Sequence, residues 1–467
     1  MMNNSTDFGR WQARIAAARG DKEADILFIG GKIANVFNGR IEEKSVAVFD
    51  GHVVGFGDYQ TKMVIDLDGK YLLPGFIEGH IHIESSKLTP QRFAEVVVKH
   101  GTTTVIADPH EIANVWGLDG IRFMIENARN LPIKIYYMLP SCVPATEMET
   151  AGATLSADDL RPLINDPSVL GVGELMNFPG AFLGDKSILE KAALGCGGKP
   201  IDGHAPGLTG RNLSAYIIAG PNTDHECFIL NEAEEKLAAG MRVMIREGST
   251  ARNLETLLPI VNSVTERRCM FVSDDRRAGD LINKGHLDDI LRLAVKSGLN
   301  AITTVRMVTL NTAETFGLTG RGAIRPGWRA DLCAVEDLIE FKVTDVWNGG
   351  EPVVQDGEYI GETHHIYNPV KSGELGVPTL PDNSFEVRDI MRAVNVIGII
   401  PSQIVTKSET ARLPVINGNL MCDLDNDIIK LVVVERYTGK GGFAIGFVKG
   451  TGLRKGAIGS TVAHDSH

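Results

Sequence analysis

No C-x-x-C pair occurs in the 467 residues, and the six cysteines (Cys142, Cys196, Cys227, Cys269, Cys333, Cys422) are scattered. That usage suits reduced thiols in a cytosolic enzyme and argues against a disulfide framework. No apolar run approaches the length needed to span a bilayer. The opening "MMNNSTDFGRWQARIAAARGD" lacks a basic segment followed by an apolar core, so no secretory signal is evident and a cytoplasmic location is expected. Positive charge is in short supply: 47 Lys and Arg stand against 59 Asp and Glu, a net charge of −12. Such a surface suits a small substrate and disfavours nucleic acid, whose phosphates attract basic surfaces. Neither a low-complexity segment nor a sequence-level repeat is found.

What is present falls into three textures. After a short helix near the N-terminus, "ADILFIGGKIANVF", "SVAVFDGHVVGFG" and "KMVIDLDGKYLLPG" alternate β-branched residues with Gly-Gly, Asp-Gly and similar turn signals. From Pro74, short apolar strands alternate with helical patterns. The strands are "FIEGHIHI", "TTTVIAD", "IKIYYML", "VLGVGE", "KPIDGH", "NTDHE", "RVMIRE" and "RCMFVSD". Eight strands over about 250 residues have the rhythm of a (β/α)8, TIM-type barrel. Near residue 322 the texture turns β-rich again, in "GAIRPGWRADLCAVED" and "FKVTDVWNGGEPVVQDGEYIG". The expected α/β architecture is therefore a barrel over 74–322 and a small β-sandwich drawn from its flanks, 1–73 and 323–375. A linker, "GELGVPTLPDNS", leads to a mixed or β-rich C-terminal domain, 376–467, carrying "VNVIGII", "DIIKLVVVERY" and "GFAIGFVKG".

The chemistry-bearing residues lie where strands end. "PGFIEGHIHIESS" places His80, His82 and Glu84 at alternate positions, and a strand would turn all three the same way, with the two histidines roughly 7 Å apart along the backbone. Strand four ends in Glu174, strand five in His204, strand six in His225 and strand eight in Asp274. Singly, each has a plain structural reading as a helix cap or loop hydrogen bond. Together, four histidines and two carboxylates emerge at the rim where such barrels carry active sites. Imidazoles with a bridging carboxylate suit a pair of divalent first-row metals. His82-Ile83-Glu84 also matches the His-x-Glu half of a zinc deaminase signature, but the P-C-x-x-C half is missing, since "PSCVPA" has no second cysteine at that spacing. His464, Asp465 and His467 read as a polar tail, with no further partner to assign.

The strings "GHIHIESS", "ADPHEIANVWG", "GVGELMNFPG", "DGHAPGLTG", "TDHE" and "FVSDDR", with "GAIRPGWRADL" closing the barrel, resemble the amidohydrolase superfamily and most closely its adenine deaminase branch. The resemblance runs over essentially the whole chain. It implies a binuclear site held by His80, His82, Glu174, His204, His225 and Asp274. Many relatives bridge their metals with a carboxylated lysine from strand four, where this chain has Glu174. Mn(II) or Fe(II) is favoured, Zn(II) is compatible, and a homodimer is expected. Members of this branch continue beyond the point matching "TVAHDSH", which implies a chain shortened at its C-terminus.

The implied reaction is hydrolytic deamination of adenine to hypoxanthine and ammonia, a C–N hydrolysis of a cyclic amidine in purine salvage. Asp274 is the expected proton carrier. Glu84 is the candidate acid for N1 of the ring, because it shares strand parity with the histidines and burial near other acids raises a carboxyl pKa. Ser85, Asp108, His110, Glu111, Arg246 and Asp275 are weaker candidates for substrate contact. Four of them have a structural alternative: Ser85 as a cap, Asp108 as the start of the Pro109 turn, Arg246 as a partner for Glu247, Asp275 as a helix cap or an orienter of a ligand histidine. The alternatives in function are a binuclear amidohydrolase acting on a cyclic amide or an N-acetyl sugar, and a shortened homologue without catalysis.

Overall fold

The segment Thr102–Ala107, TTTVIA, is buried at every position. A β-branched run covered on both faces is what a parallel strand wrapped by helices requires. The computed structural model describes residues 7–362, 379–381, 383–389, 393–437 and 442–460, and the strand just named is the second of eight that form a barrel wall. These are β1 (Phe76–Ile81), β2 (Thr102–Ala107), β3 (Lys134–Leu139), β4 (Val169–Leu175), β5 (Ile201–Gly203), β6 (Thr223–Asp224), β7 (Arg242–Arg246) and β8 (Cys269–Val272). Strands β1 to β5 form one parallel sheet and β6 to β8 another. The ring closes where Asp274 N donates to His80 O (3.0 Å) and His82 N donates to Asp274 O (3.2 Å).

The outer helices follow from amphipathic spacing. Leu287–Lys296 buries Leu287, Ile290, Leu291 and Ala294, one face of a 3.6-residue period, with Asp288 and Asp289 in its first turn and Lys296 in its last. Inside the barrel, Ile77, Ile106, Met138, Met244, Met270 and Val272 pack together.

Strands from both flanks build the small β-domain. Its first sheet orders His52–Phe56, Val46–Phe49, Ala24–Ile29 and Thr61–Asp66; in the second, Leu332–Val335 lies between Tyr71–Pro74 and Val343–Asn348. Phe28, Val48, Leu72, Leu332 and Trp347 belong to the core they share. The helix expected near the N-terminus is Phe8–Ala18.

Beyond the barrel, Thr406–Ala411, Val394–Ile399, Phe443–Lys449 and Ile428–Val434 form a four-stranded sheet, so the described C-terminal region is β-rich. It touches the barrel rim: Arg252 N donates to Ser402 O (3.2 Å) and Gln403 Nε2 donates to Asn253 Oδ1 (2.8 Å). Most of the expected linker, and the His464, Asp465, His467 group, lie outside the described residues. Among the described residues no helix is long and apolar enough to cross a membrane.

Candidate active site

At the C-terminal end of β1 the chain does not keep strict strand geometry. Its register with β2 shifts between Phe76 and Ile77 and again between Glu78 and Ile81. Irregularities of this kind re-aim side chains. His80 is the penultimate residue of the strand, and His82 follows it in extended conformation as the cap of a short 3₁₀ turn, Ile83–Ser86. Their Nε2 atoms lie 3.2 Å apart, both directed at the Oδ1 atom of Asp274, at 3.5 Å from His80 and 3.1 Å from His82. Asp274 itself sits at φ 55°, the left-handed region uncommon for a residue with a side chain. That turn carries its carboxylate to the rim while its backbone pairs with β1.

Glu174, buried near the end of β4, links this half of the cluster to the other. One carboxylate oxygen, Oε1, lies 3.3 Å from His82 Nε2, and the second, Oε2, lies 2.5 Å from His204 Nδ1 and 3.4 Å from His225 Nε2. The six residues expected from the strand ends therefore meet at one place, with a carboxylate between two sets of imidazoles.

The hydrogen bonds behind the histidines orient them. His80 Nδ1 pairs with Asp202 Oδ2 (2.7 Å), whose Oδ1 accepts from Thr223 Oγ1 (2.6 Å) and Gly203 N (2.8 Å). His82 Nδ1 pairs with the carbonyl of Asp108 (2.9 Å). Occupying Nδ1 in this way leaves Nε2 as the inward lone pair, the arrangement in which a histidine ligates a metal. Two such lone pairs facing each other at 3.2 Å need a positive charge between them. Burial presses both rings toward neutrality, yet Asp202 and Asp274 hold His80 up at about 10, and Asp274 and Glu174 hold His82 well above its usual value. Burial opposes protonation of His204 also, but Glu174 and Glu226 raise it to about 9. Burial works against the charge on Glu174 and Asp274 too; His204 and its neighbours, and Arg246, hold both carboxylates well below the usual range. The pocket as built draws in positive charge, and its nitrogen and oxygen donors fit two divalent first-row cations. His80, His82 and Asp274 would hold one, His204 and His225 the other, and Glu174 both.

The remaining candidates are placed less uniformly. Glu84 lies on the 3₁₀ turn, off the strand, so the parity expected with His80 and His82 does not hold. Its Oε1 accepts from Ile112 N (3.3 Å), and burial raises its pKa. Asp108 Oδ2 accepts from Glu174 N (2.9 Å), and burial lifts its pKa to about 6. His110 brings Nδ1 to 3.1 Å from Glu174 Oε1, and its ring packs on His82. Ser85 Oγ lies within hydrogen-bond distance of Glu111 Oε1 (2.9 Å) and Asp275 Oδ1 (2.5 Å). Ser86 Oγ donates to Ile83 O (2.5 Å) within the turn. Arg246 is fully buried, with its Nη1 against both Glu226 and Asp274, and Nη2 3.8 Å from Asp275. The pairing with Glu247 considered from sequence is not made; Glu247 Oε2 accepts from Leu254 N (3.2 Å).

Three buried acids at the site escaped the sequence reading: Asp202, Glu226 and Glu78. Asp202 stands two residues before His204, a spacing that could have flagged it. Glu78 accepts from His80 N (3.1 Å) and Ser273 N (3.1 Å), bracing the backbones of both β1 and β8.

Comparison with known proteins identifies the family. The Amidohydrolase family profile matches residues 71–355 and the Adenine deaminase C-terminal domain profile matches 403–467. Adenine deaminase from Desulfatibacillum aliphaticivorans is 47% identical over 97% of this chain and 80% of its own length. Its namesake from Clostridium acetobutylicum is 42% identical over 98% of this chain and 80% of its own. Among solved structures, a zinc-bound adenosine deaminase from Xanthomonas campestris superposes with a TM-score of 0.53 at 16% identity, over 73% of this chain and 95% of that one, which speaks for the fold alone. With relatives at this level of identity over nearly the whole of this chain and 80% of their own length, the chain belongs to the adenine deaminase family of amidohydrolases.

Proposed function

We propose that the chain is a metal-dependent adenine aminohydrolase, converting adenine and water to hypoxanthine and ammonia in purine salvage. The observation that carries this is the convergence of His80, His82, Glu174, His204, His225 and Asp274 in a chain whose relatives along nearly its full length are named adenine deaminases. These six residues would hold two divalent cations, Mn(II) or Fe(II) by preference, whose chemistry when bound would be to lower the pKa of a water toward neutrality.

The chain's own residues do the rest. Asp274, kept ionised by Arg246, accepts a proton from the water that adds to C6 of the ring and delivers it to the departing amine. Acid–base help of this kind contributes about 10²–10⁴-fold. Glu84, held toward its neutral form by burial, donates a proton to N1, so that ring nitrogen takes up the electron pair displaced from C6. As the C6–N bond breaks and ammonia leaves, the C6 hydroxyl gives up its proton to restore Glu84, and N1 keeps its proton in the 6-oxo product. Ser85, Asp108, His110, Glu111 and Asp275 line or brace the place where the purine sits. We assign the working enzyme to the cytoplasm, as a homodimer acting on a free base.

Protein purified and loaded with Mn(II) or Fe(II) should release ammonia from adenine. Inert adenine, together with turnover of a dihydropyrimidine or an N-acetylated sugar, would replace this reading with the cyclic-amide or deacetylase alternative.

A further inference from the structure

Strands β5 and β6 are three and two residues long, and they belong to separate sheets. The seam between them falls between His204 and His225, which must meet on the same side of Glu174. Among the described residues no β-ladder crosses that seam. Near its start it is crossed by hydrogen bonds from Asn222 N to Ile201 O (3.3 Å) and from Thr223 Oγ1 to Asp202 Oδ1 (2.6 Å), and at the tips by a buried cluster of charges. Lys236, on the helix Leu230–Ala238, donates from Nζ to Ala205 O (2.6 Å), Asp224 Oδ2 (3.1 Å) and Glu232 Oε1 (2.6 Å). These three bonds use every N–H of the ammonium group. Asp224 Oδ2 also accepts from Ala205 N (3.0 Å) and its Oδ1 from Glu226 N (2.8 Å), while Glu232 Oε1 accepts from Gly207 N (2.7 Å). The residue after His204 is thus held through both its N–H and its carbonyl, and the residues on each side of His225 are held through Asp224. All three charged residues are fully buried.

Stability alone is a poor account of such a cluster. Replacing a buried ion pair with apolar groups of similar volume is often neutral or stabilising, because desolvation offsets the attraction. Its distinctive property is geometric, since charge-assisted bonds fix the C-terminal tips of two strands whose one backbone bond, Asn222 N to Ile201 O (3.3 Å), lies at their start. A second device works alongside it. Tyr216 Oη donates to Leu175 O (3.0 Å) and accepts from His204 N (2.9 Å), tying β5 to the residue after Glu174.

We propose that Lys236, with Asp224 and Glu232, is a positioning residue that closes the β5–β6 seam and sets His204 and His225 at the spacing needed for the second of the two cations. Lys236 takes no part in the proton transfers. The proposal rests on the reading of the cluster as a two-metal site, and the test separates the two.

The variant Lys236→Met with Glu232→Gln removes one charge of each sign, so the buried charge balance is kept. Metal-free wild type and variant are titrated with Mn(II) by calorimetry and followed by electron paramagnetic resonance. Wild type is expected to take up two equivalents and give the spectrum of a spin-coupled pair. The variant is expected to bind its first equivalent with unchanged affinity and its second about 10–100-fold more weakly, the usual size of an effect from behind the ligands. At one equivalent and beyond it should show the spectrum of isolated ions, with cooperative unfolding retained. Glu232→Gln alone, which leaves the ammonium in place, should weaken only the second equivalent, and by less; if the double variant does not fold, this single variant decides. Two equivalents at wild-type affinities, or equal weakening of both, overturns the proposal. Wild type that binds fewer than two Mn(II) ions overturns the two-metal reading instead.

Discussion

Glu84 has one oxygen hydrogen-bonded to a backbone N–H and the other, Oε2, buried without a hydrogen-bond partner among the described residues. An unsatisfied buried oxygen penalises the ionised carboxylate more than the neutral acid, and so burial raises the pKa of this group. A neutral carboxyl is what donation to a ring nitrogen requires. Glu84→Gln should therefore lower kcat by about 10²–10⁴-fold while two metal ions remain bound. The wild-type rate should decline as pH rises through the elevated pKa, because the acid form is lost there, and the variant should lack that limb. Unchanged turnover in the variant would remove Glu84 from the mechanism. The six donors were legible in the sequence because each stands at the end of a strand-like segment, where the barrel presents its chemistry. Glu226 and Lys236 were not, because what distinguishes them is a contact made across the fold and no local pattern encodes it. Glu84 was half legible: its nearness to the histidines followed from sequence, but its backbone conformation did not.

Among the elements, β5 and β6 show where strand reading loses accuracy. "KPIDGH" and "NTDHE" look like strands of five or six residues, yet the ladders they join are shorter, because a strand lasts only as long as its neighbour matches it. Gly203 marks the reason. A Cβ there would come within 2.2 Å of the carbonyl oxygen of Thr223, a backbone atom that cannot move aside cheaply. The two backbones approach too closely for a side chain. Gly203→Ala should cost about 1–3 kcal/mol, as overpacked sites do, read as a lower denaturant midpoint in chemical unfolding. An unaltered midpoint would mean that the two backbones can separate at the seam without cost. The barrel and the flanking β-domain were legible in outline because their textures differ: alternating strand and helix in one, β-branched runs with Gly-bearing turns in the other. That the barrel wall divides into two sheets was not, since a division is set by which neighbours fail to pair.

Over the whole molecule, a surplus of acids is gathered around one buried cluster of imidazoles. Without cations, His80, His82, His204 and Arg246 balance the charges of Glu174, Asp274, Asp202 and Glu226; the cations would bind this arrangement only in the folded chain, so metal binding and folding are coupled. Removing metal with a chelator should lower the thermal midpoint as well as abolish turnover, and restoring Mn(II) should recover both. At free metal about 100 times Kd, each site adds about 2.7 kcal/mol to the native state. Equal midpoints for stripped and reloaded protein would show that the cluster does not bind metal in the folded state.

The pairing of Leu332–Val335 with Tyr71–Pro74 has a consequence for how the chain is made. Cys333 and Pro74 are 259 positions apart, yet the thiol of one lies against the carbonyl of the other. A ribosome adding about 5–20 residues per second needs tens of seconds to deliver the later strand after the earlier one has emerged. Through that interval the apolar edge Tyr71-Leu72-Leu73 waits for its partner. Every residue of the barrel is synthesised before the strand that leads into it can be covered, so this edge is among the last of the β-domain to be completed.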